Sequence, residues 1–141
     1  NLLSHPDTVG AALLDQRVLA GVGTLWACES LFLQRLGPWT PTPSLSPSVA
    51  ALLVARARRL MVANLDHAVQ SSTGFRRHGE TTWVHARSGR PCRRCGTTIR
   101  VAPVGPPTRE RPMFYCPNCQ GGLGATDDGR PIAPLGARRQ R

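Results

Sequence analysis

Cys92-Arg93-Arg94-Cys95 and Cys116-Pro117-Asn118-Cys119 are separated by the twenty residues Gly96 to Tyr115. Two cysteine pairs of this kind, each on a turn and joined by a hairpin, would form the closed tetrahedral sulfur site typical of one structural zinc ion. A closed shell leaves no position for a reactive water, so the ion's expected role is to fold the chain. A disulfide pair or iron coordination is the alternative use of the same thiols. The hairpin is expected from Thr97 to Val101 and from Pro112 to Tyr115, joined by Ala102 to Arg111. A finger of about thirty residues buries too little apolar surface to fold alone and needs the metal. The ribbon does not fix its own partner, because the same fold serves protein, RNA and DNA contacts.

Upstream, apolar residues recur at helical spacing. Val9, Leu13 and Leu14 mark one helix, and Leu25, Cys28, Phe32 and Leu36 mark a second, which Gly37-Pro38 should stop. Gln16 to Gly23 lies between them, too long for a tight turn and glycine-bearing at its end. Ser46 as N-cap and Pro47 at the first helical position open a third helix, expected to run to about Ser71. Its expected apolar stripe is Val49, Leu52, Leu53, Leu60, Met61, Leu65 and Val69, with Arg56, Arg58 and Arg59 on the solvated face. After Gly74 the pattern turns irregular, with Thr81 to Val84 a candidate strand.

The fold class predicted is mainly α with a small β part: a helical domain reading as helix, structured turn, helix, followed by a four-cysteine zinc-finger β-hairpin. The domains are drawn at 1–75 and 76–121, and 122–141, rich in Gly, Pro, Ala and Arg, is expected to be a disordered tail.

The chain of 141 residues carries a formal net charge of +10, from 18 basic against 8 acidic residues. Every basic residue is arginine, whose planar fork suits bidentate phosphate contacts. An arginine-rich coding bias is the bland alternative. Within the finger, Arg93, Arg94, Arg100, Arg109 and Arg111 stand against a single acid, Glu110. This points to a nucleic-acid backbone as partner. There is no run of apolar residues long enough to span a bilayer and no secretory signal, so the expectation is a cytoplasmic protein without a membrane partner. Cys28 lies in an apolar helical stretch and reads as core.

Three blocks make the reading specific. Asp15-Gln16-Arg17-Val18-Leu19-Ala20-Gly21-Val22-Gly23-Thr24-Leu25-Trp26-Ala27 resembles the helix-two-turn-helix signature of the formamidopyrimidine-DNA glycosylase and endonuclease VIII family. Arg111 to Gln120 resembles that family's C-terminal zinc finger, and Trp83 to Cys92 resembles its entry into the finger. The order and spacing of the blocks extend the resemblance over about Asn1 to Gly121.

The resemblance implies a bacterial base-excision enzyme, a glycosylase and abasic-site lyase, whose partner is double-stranded DNA holding oxidised bases or abasic sites. It implies that Gly21, Gly23, Thr24, Arg109 and Arg111 hold the damaged strand's phosphates, and that Arg111 supports δ-elimination by stabilising the departing phosphate. The family usually has asparagine where this chain has Thr24, a departure that leans toward an endonuclease VIII-like member.

The family's covalent step needs a deprotonatable amine. This chain has no lysine and opens Asn1-Leu2-Leu3, whereas the family uses an N-terminal proline followed by glutamate on a preceding β-rich domain. The expectation is therefore a monomeric DNA-gripping half that binds without cutting and works with that N-terminal catalytic domain. A stand-alone nucleic-acid-binding module, and a protein-docking zinc ribbon, are the alternatives the residues leave open.

Overall fold

Thr8 starts the first helix by accepting the Ala11 N–H on its hydroxyl at 3.4 Å, and the six residues that follow, Val9–Leu14 (α1), are all buried. In this computed structural model, which describes residues 2–16 and 21–134, α1 is followed by α2 (Thr24–Leu33), α3 (Pro47–Ala63) and two strands, β1 (Arg100–Val104) and β2 (Arg111–Tyr115). Short 3-10 turns lie at Leu2–Ser4 and Thr42–Ser44. Gly10 lets α1 sit hard against its neighbours, because a Cβ there would meet the Pro38 carbonyl oxygen at 2.9 Å and Met113 Cε at 3.1 Å.

The centre of the molecule is α2, which packs against α1, α3 and β2. Trp26 to Phe32 are all buried, including the polar Glu29 and Ser30. It ends at Leu33, before Gly37-Pro38. The Leu36 N–H reaches back to the Leu31 carbonyl at 2.9 Å and the Arg35 N–H to that of Phe32 at 3.1 Å. This is a Schellman closure, with Arg35 at φ 56° where glycine is usual.

The third helix has its expected start, with the Ser46 hydroxyl accepting the Val49 N–H at 3.2 Å. It stops at Ala63 rather than near Ser71. Asn64 causes the stop: its amide nitrogen donates to the carbonyls of Leu60 and Ser71, and its amide oxygen accepts the Ser71 N–H at 2.8 Å. The expected apolar stripe is also corrected. Ala50, Leu53 and Ala57 are the residues α3 buries, whereas Leu52, Leu65 and Val69 are 60, 76 and 47% exposed. Two alanines let α3 approach α2 closely, so a narrow seam suffices. Arg58 and Arg59 are solvated as expected, while Arg56 donates to Gln34 Oε1 at 2.9 Å.

The hairpin pairs Arg100 with Tyr115 through Val104 with Arg111, antiparallel. Its first strand lies three residues later than the cysteine spacing suggested. The backbone around Thr97 to Ile99 is taken by the cysteine turn instead, with Cys92 donating to the Thr97 carbonyl at 2.7 Å and Ile99 to that of Arg90 at 2.9 Å. Thr81 to Val84 forms no strand, because its end is drawn onto Glu29, described below.

The stretch 122–134, expected to be disordered, lies against the finger. Asp127 receives both Arg100 nitrogens at 2.8 Å and the Tyr115 hydroxyl at 2.6 Å. Gly124 packs on the Trp39 ring so closely that no Cβ would fit. Composition signalled a loose tail over 122–141; in 122–134 the Asp127–Arg100 pair and the Gly124, Thr126 and Arg130 contacts tie it to the finger, and 135–141 lie outside the described residues.

Candidate metal centre and nucleic-acid interface

The four cysteines converge as their spacing predicted, with all four Sγ atoms within 4.8 Å of one another. Cys95 and Cys116 are 3.5 Å apart and Cys92 and Cys119 are 4.0 Å apart. Four sulfurs at ordinary zinc–thiolate bond length would be separated by about 3.8 Å, so the cage fits a tetrahedral ion. Hydrogen bonds from Thr97 pull the exposed Cys95 thiol down to about 5, whereas burial pushes the Cys92 and Cys116 thiols up, so a bound cation would be needed to hold the inner sulfurs as thiolates. Backbone N–H groups of Arg94 and Cys119 point at Cys92 and Cys116 sulfurs, each at 3.4 Å. Such donors offset the negative charge of a four-thiolate shell.

Arg94 links this cage to the helices. Its Nε donates to Cys119 Sγ at 3.5 Å, its Nη2 to the Phe32 carbonyl at 2.9 Å, and its guanidinium lies 4.0 Å above the Phe32 ring. The basic edge inferred from sequence is thereby reduced. Arg93 donates to the Thr82 and Gly79 carbonyls, Arg94 faces inward, and Arg100 is engaged by Asp127. Arg93, Arg109 and Arg111 are the exposed arginines of the finger's five; Arg93 commits its guanidinium to two carbonyls, whereas Arg109 and Arg111 have neither a carbonyl nor an acidic partner for theirs among the described residues.

A second link is Glu29, fully buried on α2. Its carboxylate accepts the N–H groups of Trp83, Val84 and His85 at 2.6, 2.9 and 3.1 Å and the hydroxyl of Ser72. Burial pushes this carboxyl above its usual range while the four donors pull it back. Three successive backbone donors turned toward one carboxylate fix the entry into the finger to α2. The preceding residue, Cys28, faces the hairpin: its Sγ contacts Met113 Sδ at 3.5 Å and accepts the Phe114 N–H at 3.4 Å. Cys28 is core, as its helical setting implied.

Of the five residues expected to grip phosphate, Gly21, Gly23, Thr24 and Arg111 gather at the start of α2, and Arg109 lies apart on the neighbouring cleft wall. Arg111, the first residue of β2, donates from Nη2 to Thr24 Oγ1 at 2.9 Å. Thr24 is the first residue of α2, and the N-cap Gly23 has no side chain to satisfy the first-turn N–H groups. In contrast, Thr8 and Ser46 cap α1 and α3. Gly21 has φ 87°, a conformation that side chains disfavour. Gln16 holds it by accepting its N–H and donating to the Val22 carbonyl, both at 3.0 Å. Arg17, Val18, Leu19 and Ala20 of the two-turn block, like Asn1, lie outside the described residues. A cleft of about 630 Å³ opens beside this point, lined by His5, Asp7, Asp15, Arg109 and Arg111 among others. Arg109 thus shares a wall with Arg111 but does not touch Thr24.

Sequence reading passed over the roles of Gln16, Glu29, Arg94 and Asp127. Glu29 had a signal, a carboxylate between Cys28 and Phe32 on an apolar helix. Arg94 and Asp127 carried none, because their partners Phe32 and Arg100 lie 62 and 27 positions away; Gln16 bonds locally, to Gly21 and Val22, but only the folded turn shows which backbone groups it reaches.

Three helices, the second with no side-chain cap at its start, joined to a four-cysteine hairpin finger, define a helix-two-turn-helix and finger protein. The family profile described as "Formamidopyrimidine-DNA glycosylase H2TH domain" matches residues 1–76, and the chain belongs to that family. A probable endonuclease 8 of Streptomyces coelicolor is 45% identical over 89% of this chain and 45% of its own length. A DNA-(apurinic or apyrimidinic site) lyase of Mycolicibacterium smegmatis is 40% identical over 85% of this chain and 46% of its own. Among solved structures, the MutM (Fpg) protein of Thermus thermophilus superposes with a TM-score of 0.68 at 31% identity, over 86% of this chain and 48% of its own. The Lactococcus lactis Fpg in complex with abasic-site DNA superposes at 0.67 with 25% identity, over 85% and 45%. The chain spans about half the length of the relatives it matches. Among the described residues, no helix is long and apolar enough to cross a membrane.

Proposed function

We propose that this chain is the DNA-gripping portion of a bacterial base-excision DNA glycosylase and abasic-site lyase, acting in the cytoplasm as a monomer on duplex DNA with oxidised bases or abasic sites. The observation that carries the reading is the meeting of Arg111 with the uncapped start of α2 at Thr24. A helix start with open N–H groups and a guanidinium beside it offers a phosphate two kinds of donor and a positive field. Gly21 and Gly23 let the backbone approach the strand, and Arg109 supplies a second cation on the same cleft.

The ion in the cysteine cage is zinc in this reading, held by Cys92, Cys95, Cys116 and Cys119 as a structural cross-link. Arg111 is always charged, so it serves elimination by stabilising the departing phosphate and not by giving up a proton. In this reading the Schiff-base chemistry belongs to a separate β-rich domain with a terminal proline, as the family resemblance implies; the present sequence supplies no lysine amine for it. The endonuclease VIII-like character rests on Thr24 and on the resemblance to endonuclease 8.

Binding of the zinc-loaded chain to an abasic-site duplex should weaken steeply with salt, and Arg111→Ala should reduce the log–log salt slope by about 0.9, one phosphate's share. Borohydride should trap no covalent adduct with this chain. Salt-independent binding would defeat the DNA reading, and an adduct would defeat the assignment of the chemistry to another domain.

A further inference from the structure

We propose that Thr24 is a positioning residue that acts on the phosphate through Arg111, an inference that rests on the DNA-gripping function above. Arg111 projects from an exposed strand start, and its hydrogen-bond partner among the described residues is the Thr24 hydroxyl at 2.9 Å. No carboxylate among those residues holds it. A long, freely rotating guanidinium would otherwise sample many directions, and ordering it at the moment of binding would weaken the complex.

The arrangement also runs against simple electrostatics. The start of α2 is the positive end of its dipole, so a guanidinium is repelled there in the absence of an anion. A neutral acceptor on the helix's own first residue keeps the cation in place. Threonine suits this position because its branched side chain is stiff and its hydroxyl has lone pairs to take an arginine N–H. One of the five guanidinium N–H groups is used in this way, which leaves the rest of the fork for a phosphate. The strand residue and the helix residue lie 87 positions apart in sequence, so the finger delivers the cation and the helix aims it.

The test is a double-mutant cycle on the zinc-loaded chain, read by fluorescence anisotropy with a duplex containing a tetrahydrofuran abasic analogue. Thr24→Val, which keeps the shape and removes the acceptor, should weaken binding by about tenfold, about 1.4 kcal/mol. Thr24→Ser should restore binding to within about twofold. Arg111→Ala should weaken it at least as much as Thr24→Val, and adding Thr24→Val to Arg111→Ala should change nothing further. Zinc content and melting temperature, measured on each variant, should match those of the parent chain.

Equal penalties for Thr24→Val with and without Arg111 would show that Thr24 acts on the DNA directly and would overturn the inference. So would a Thr24→Val chain that binds like the parent while Arg111→Ala does not. Arg111→Ala binding as tightly as the parent would instead defeat the DNA-gripping reading itself.

Discussion

At the scale of single residues, Glu29 decides more than its place in an apolar helix suggests. It is one carboxylate, fully buried, carrying three backbone donors and a hydroxyl. Removing it leaves the buried Val84 N–H and the part-buried Trp83 and His85 N–H groups without acceptors, at a cost of about 1–3 kcal/mol for a fully buried group and less where water can reach. Glu29→Ala should therefore destabilise the chain by on the order of 3–5 kcal/mol, and Glu29→Gln by somewhat less because one oxygen remains. Urea unfolding measures both. A loss under about 1 kcal/mol for the alanine variant would show that water replaces the carboxylate and that the finger's entry is held by other contacts.

At the scale of elements, the hairpin and α2 cover one another. Cys28 is fully buried, and burial pushes its thiol up to about 12. Its cover is Met113 and Phe114 of β2, so the thiol is protected by the very strand that the cysteine cage folds. With the metal bound, no thiol should react quickly with a disulfide reagent. Chelation should expose all five, since losing β2 uncovers Cys28 along with the four ligands. If only four react, the helices close over Cys28 without the finger, and the two parts are independent folding units.

For the whole molecule, the final contact is made by the segment that looked least structured. Asp127 has a side chain only 2% exposed beside Arg100, whose hydrogen bonds hold the carboxyl well below its usual range. A depressed carboxyl contributes stability that is present above its ordinary value and is lost as pH falls through its folded value. The parent chain should thus lose melting temperature below about pH 4, and Asp127→Asn should show less of that loss. At neutral pH the same variant should be less stable by on the order of 1–2 kcal/mol. An unchanged acid profile would mean the contact forms and breaks without consequence for folding.

The cysteine spacing, the caps at Ser46 and Pro47 and the family blocks were legible in the chain because each is local chemistry: ligands three positions apart, a hydroxyl three residues before an N–H, glycines in a turn. These determined that the protein is helical with a metal-stapled hairpin. Where α3 stops was not legible, since Asn64 ends it by reaching Ser71 across a loop. Nor was the division of the arginines. Charge counting placed five on a basic edge, but only the packed structure turns Arg94 onto the sulfur cage and Arg100 onto Asp127, leaving Arg109 and Arg111 outward. Sequence by itself sets which groups are available. Tertiary structure decides which are consumed internally, because a guanidinium contacting a buried acid or a ring has no fork left to offer, and Arg111 keeps its fork by meeting only a hydroxyl.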